Sequence, residues 1–192
     1  MPLQFAGIDT DMLPPSLLGK PYRYRKFEAP APGKSGHAGP SAIDVAKAAW
    51  DQVVHRASLP ACNAYFKSLP RHTTLKEVID ERPITLWLLV PIEGYTYDSP
   101  EVPLANTAGR DMALIPRLLE PAKGAGKQLE LVCTLIHELA HVAGASTNNR
   151  IEDPHARDAE DALKKCSYMN QYNEGALGWQ IRTSNAGLVR IV

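Results

Sequence analysis

The stretch from Lys127 to Gly144 limits what this chain can fold into more than any other part of it. It contains no proline and no internal glycine. Leu129, Val132, Ile136, Leu139, Ala140 and Ala143 recur at helical spacing, while Leu131, Leu135 and Val142 cover a second face. A helix that is apolar nearly all round must be buried, so the rest of the fold has to be built about it. Yet this helix also carries His137, Glu138 and His141. Helical positions i and i+4 lie one turn apart on the same face, so the two imidazoles can meet with Glu138 beside them. Buried charges need partners, and a metal ion would supply one. Gly124 and Gly126 loosen the chain ahead of the helix, and Gly144 is placed to end it.

His137-Glu-Leu-Ala-His141 is the H-E-x-x-H arrangement of zinc hydrolases, in which two histidines bind Zn²⁺ and the glutamate acts as general base. A catalytic zinc takes three protein ligands and keeps one position open, so a third ligand is required. The zincins with a glutamate ligand draw it from a second helix, and one large aminopeptidase family among them places it after an eighteen-residue gap. Here that gap ends at Glu160. Asp153 as cap and Pro154 in the first turn predict a helix to about Met169, with Ala156, Ala159, Ala162, Leu163 and Cys166 on its apolar face. Glu160 lies on the flank of that face and is the first choice. His155 and Glu174 remain rivals, and Asp153 or Asp158 would suit zincins with an aspartate ligand. Metzincins would carry histidine at position 147, where this chain has threonine, so that class is excluded.

Elsewhere the pattern predicts helices surrounding a small sheet, an α+β domain. Ser41 caps a helix through Ala57, a short helix covers Pro60 to Ser68, and Thr74 caps another from Leu75 to Asp80 that Pro83 stops. Ile84 to Val90 reads as a buried strand, and Arg110 to Ile115 as a second, with a long loop from Gly94 to Gly109 between them. Residues 1–40 hold seven of the sixteen prolines and read as a leader or linker, leaving 41–192 as the folded domain. The 192 residues balance 21 basic against 21 acidic side chains, so no electrostatic footprint points to nucleic acid. Outside the motif helix the longest apolar run, Ile84 to Ile92, is too short to span a bilayer, so no membrane insertion is expected. Cys133 reads as a buried small hydrophobe, whereas Cys62 and Cys166 are able to pair in an oxidising compartment or to stay as free thiols.

Beyond the motif, the chain resembles the metallopeptidase toxin domains carried by VgrG-type and Rhs-type proteins of the type VI secretion system. The likeness rests on Pro60-Ala-Cys-Asn-Ala-Tyr-Phe, Thr74-Leu-Lys-Glu-Val, Thr107-Ala-Gly-Arg-Asp-Met-Ala-Leu, the motif through Ala145, and Ala159-Glu-Asp-Ala-Leu-Lys-Lys-Cys166. It implies a zincin-like fold, one Zn²⁺, an upstream delivery protein, action in a target cell's periplasm and a cognate immunity protein; without that delivery the protein would be cytoplasmic. The expected reaction is hydrolysis of peptide bonds in a protein or peptide, with Glu138 as general base and His137, His141 and Glu160 as ligands. His155, Tyr168 or Tyr172 could donate to the transition state, and the strand at Arg110–Ile115 could pair with extended substrate. Two other readings are a zinc-stabilised binding module without activity and a zinc amidase acting on cell-wall peptides.

Overall fold

The computed structural model describes residues 3–28, 41–121, 125–145, 179–181 and 188–190. Its centre is β3 (Ile84–Pro91), an eight-residue run whose first four side chains are all buried. On one side β3 pairs in parallel with β1 (Leu3–Phe5) and antiparallel with β2 (Tyr22–Arg25), each using a different half of the strand. On the other side it pairs in parallel with β5 (Asp111–Leu114), and β5 pairs antiparallel with β4 (Ala105–Ala108). Successive side chains of β3 point to opposite faces and the first four are all buried, so both faces are covered, which is why Ile84 to Val90 shows no alternation. A separate pair, β6 (Trp179–Ile181) and β7 (Leu188–Arg190), is antiparallel.

The helices are α1 (Ala42–Arg56), α2 (Pro60–Ser68), α3 (Leu75–Glu81) and α4 (Ala125–Val142), with a 3-10 turn at Pro116–Leu119. Both expected caps form. Ser41 Oγ accepts from the Asp44 amide while Asp44 accepts from the Ser41 amide, and Thr74 with Glu77 repeats the arrangement. Each such cap satisfies two amides that the first helical turn leaves without partners. The sheet and helices enclose one core that includes Phe5, Trp50, Phe66, Leu86, Trp87, Met112, Leu135 and Leu139.

Two expectations change. Residues 3–28 are not a leader: they contribute β1 and β2, and Leu3, Phe5, Ala6, Tyr22, Tyr24 and Phe27 are buried. Proline content misled here because Pro14, Pro15 and Pro21 fall between the two strands, outside the ladders. Residues 29–40 lie outside the described residues. The loop from 94 to 109 also contains a strand, β4, which its Ala-Asn-Thr-Ala sequence does not advertise. It forms because Ala108 pairs with Asp111 across a two-residue turn, in which Gly109 supplies the positive φ of 65° that such a turn requires.

Cys133 is buried and free, and burial pushes its thiol up to about 12. Cys62 is disulfide-bonded. Cys166 lies outside the described residues.

Candidate metal centre

Helix α4 packs against α1, α3, β4 and the 3-10 turn. Leu131, Val132, Leu135, Ile136, Leu139, Ala140 and Ala143 are all fully enclosed, as the two apolar faces of the sequence require. The helix stops at Gly144, where φ is +98°, a conformation that side chains with a Cβ rarely adopt. The Ala145 amide reaches back to the Ala140 carbonyl at 2.9 Å and the Gly144 amide to the His141 carbonyl at 3.0 Å. These two bonds close the left-handed cap and satisfy carbonyls that the last turn would leave free. Arg71 completes the end from outside: its guanidinium donates to the Val142 carbonyl at 3.1 Å and its amide to the Ala143 carbonyl at 3.2 Å. The same guanidinium pairs with Glu81 of α3 at 2.8 Å. A Cβ at position 144 would also stand 3.2 Å from Pro70 Cβ, so close packing as well as φ favours glycine.

This helix end orients one of the two histidines. Nδ1 of His141 lies 3.2 Å from the Ala145 carbonyl, an oxygen that can only accept. Nδ1 therefore carries the hydrogen, and in the neutral ring Nε2 presents its lone pair. That lone pair faces Nε2 of His137 at 3.1 Å, with the two rings nearly perpendicular at 77°. Two nitrogens bound to one tetrahedral zinc at about 2.0–2.1 Å stand about 3.3 Å apart, so the spacing fits a shared metal ion. The carbonyl behind His141 is the outer partner that metal-binding histidines generally have.

Glu138 points to a different wall. It is 5 % exposed, and its Oε2 accepts a hydrogen bond from Thr107 Oγ1 of β4 at 2.6 Å. A short O–H···O⁻ contact of this kind is charge-assisted. Burial raises the Glu138 carboxyl above its usual range, while His141 and the Thr107 bond pull it back. Burial also lowers His137 to about 3, with His141 adding to the effect, so the His137 ring is held neutral, the form that binds metal. His137, Glu138 and His141 together make a group whose donor atoms lie within 4.8 Å of one another and which could hold a metal ion.

Further out, the sheet braces β4. The register places Trp87, Ala113 and Asn106 in one row across β3, β5 and β4. Tyr24 of β2 lies against Trp87, with ring centroids 6.2 Å apart. Its hydroxyl reaches the Asn106 carbonyl and Asn106 Oδ1, each at 2.9 Å. Burial raises the Tyr24 hydroxyl well above its ordinary value, with Glu138 contributing, so it stays protonated and able to donate.

The structure thus brings together His137, Glu138 and His141 as the helical spacing requires. Glu160, the first-choice third ligand, lies outside the described residues, as do His155, Glu174, Tyr168, Tyr172, Asp153 and Asp158. One assignment is corrected. The strand at Arg110–Ile115 cannot add an extended peptide at its edge, because β5 is already paired on both sides, to β3 and to β4. Among the described residues the edge position beside α4 belongs to β4, which pairs only with β5. Thr107, Asn106 and Tyr24 were not legible as site residues: no spacing links them to the motif, and only strand pairing brings them near it. No family model matches this chain, and no curated protein or solved structure is significantly similar to it.

Proposed function

We propose that the protein is a zinc-dependent metallopeptidase, and that its natural setting is that of an antibacterial effector delivered by a type VI secretion system. The observation that carries the enzymatic reading is the pair of Nε2 atoms 3.1 Å apart, with His141 anchored through Nδ1 and a buried carboxylate one residue away. In this reading His137 and His141 hold Zn²⁺ with Glu160 as third ligand. Bound zinc would supply Lewis acidity, acidifying a water and polarising the scissile carbonyl. Glu138 takes the proton of the attacking water and hands it to the leaving amine, a task favoured by a carboxyl whose proton affinity burial has raised. The backbone of β4, beside the helix, aligns an extended substrate by edge pairing, which gives affinity with little sequence choice. The disulfide at Cys62 favours an oxidising compartment such as a periplasm. A delivery protein and an immunity protein would be the partners, as the resemblance to toxin domains implies.

The test is metal content and hydrolysis of a denatured protein mixture, with purified peptidoglycan as a parallel substrate. Wild type should bind one zinc and cleave protein. Glu138→Gln should keep the metal and lose turnover, and His141→Ala should lose both. Turnover by Glu138→Gln would sink the mechanism; cleavage confined to peptidoglycan would move the assignment to a cell-wall amidase. Metal held by every one of these proteins with no turnover would favour a binding module.

A further inference from the structure

We infer that Thr107 is a positioning residue for Glu138, through which the strand beside the site sets the direction of the general base. The inference rests on the metallopeptidase reading for its catalytic consequence, but its geometry stands without it. Glu138 is buried on α4, and a glutamate has three side-chain torsions, so burial alone does not choose where the carboxylate points. Thr107 Oγ1 meets Oε2 at 2.6 Å, whereas the Glu138 backbone carbonyl is 3.4 Å from the same hydroxyl. The hydroxyl has one hydrogen, and the shorter contact takes it. One carboxylate oxygen is thereby occupied, and the other is left for the proton transfer.

The donor itself is held from behind. Thr107 pairs with Met112 of β5, and the Tyr24 hydroxyl stands 2.9 Å from both the carbonyl and the side-chain oxygen of its neighbour Asn106, with one hydrogen to donate between them. Threonine is branched at Cβ, so its χ1 is stiff on a strand and the hydroxyl direction follows the backbone. Glutamate direction therefore depends on the backbone of β4, the same backbone that would pair with a peptide. A peptide added along β4 would stiffen that strand and, through Thr107, the base. Binding and base alignment become one event.

The experiment compares Thr107→Val, which keeps the shape and removes the hydroxyl, with Thr107→Ser, which keeps the hydroxyl. Two readouts are taken on zinc-loaded and zinc-free protein: side-chain order of Glu138 by carbon-13 NMR of labelled glutamate, and kcat and KM on a cleaved peptide. Thr107→Val should leave the Glu138 side chain averaged over rotamers, with zinc content close to wild type and a lowered melting temperature, because a buried carboxylate oxygen loses its donor. Its kcat should fall roughly ten- to a hundredfold, the scale of a misdirected catalytic group, with KM little changed. Thr107→Ser should restore most of both. An ordered Glu138 in Thr107→Val overturns the inference, as does a serine variant no better than the valine. If wild type binds zinc but cleaves nothing, the metallopeptidase reading fails, while the NMR comparison still decides the role of Thr107.

Discussion

The two walls of the site are built on different physics. Helix α4 is eighteen residues long, apolar on two faces and closed by its own glycine cap, so it carries most of its instructions locally. Strand β4 is four residues of Ala-Asn-Thr-Ala with little strand preference, and it exists because β5 pairs with it and Tyr24 braces it. The histidine pair sits on the first wall, and the partner of Glu138 on the second. The meeting of the two histidines is thus a short-range property of one helix. The direction of Glu138 is a long-range property of the sheet, and the two should fail separately.

The sharpest separation comes from the helix wall. Glu138→Gln should abolish hydrolysis with zinc retained, and His141→Ala should lose the metal, as above. Gly144→Ala probes the same wall from its end. The positive φ costs a side chain about 1–2 kcal/mol, and the crowded Pro70 adds to it. Denaturant unfolding should show at least that loss. Because Ala145 supplies the oxygen behind His141, zinc affinity should drop as well. Unchanged affinity in a clearly destabilised variant would separate the helix cap from the metal site and break that half of the comparison.

Acid should act on the helix wall too, and its sign can be worked out for the metal-free protein. His137 is lowered to about 3 from its ordinary 6.5. Between those values the unfolded chain takes up a proton that the folded one refuses, so stability is present above 6.5 and lost as pH falls toward 3. Glu138 works the other way, since its raised carboxyl favours the folded state at lower pH. The melting temperature of wild type minus that of His137→Gln isolates the histidine, and it should rise as pH rises from 4 toward about 7. A difference that does not move with pH would mean that His137 is not held neutral by the fold.

The smallest effect is expected at the far end of the second wall. Tyr24→Phe removes the hydroxyl that reaches Asn106 but leaves the ring against Trp87. Stability should fall by about 1 kcal/mol, the usual net worth of one hydrogen bond. Turnover should fall a few-fold, less than for Thr107→Val, with zinc content untouched. Turnover lost without loss of stability, and to the same extent as in Thr107→Val, would place Tyr24 in the site itself rather than behind the strand.

Helix α4, its burial and its end were legible because a 3.6-residue period, a glycine and a histidine pair are all local signals. The same holds for the Ser41 and Thr74 caps and for β3, whose apolar run announces a strand covered on both faces. Strands β1 and β2 were hidden by proline-rich surroundings, since composition averages over the loop between them. Strand β4 was hidden for the opposite reason, having no strong composition at all. Thr107 could not be singled out, for a threonine among turn residues carries no sign of the carboxylate it will meet.

By itself, then, the sequence determined that His137 and His141 would share one face of a buried helix, because helical geometry alone puts residues four apart within reach. It determined the chemistry offered there, two imidazoles on that face and a carboxylate beside them. Only the tertiary structure decided that Thr107 would take one oxygen of Glu138. It also decided that β4, and not β5, would stand beside the site. Strand order and the direction of a buried side chain depend on contacts between residues far apart in the chain, and no local period records them.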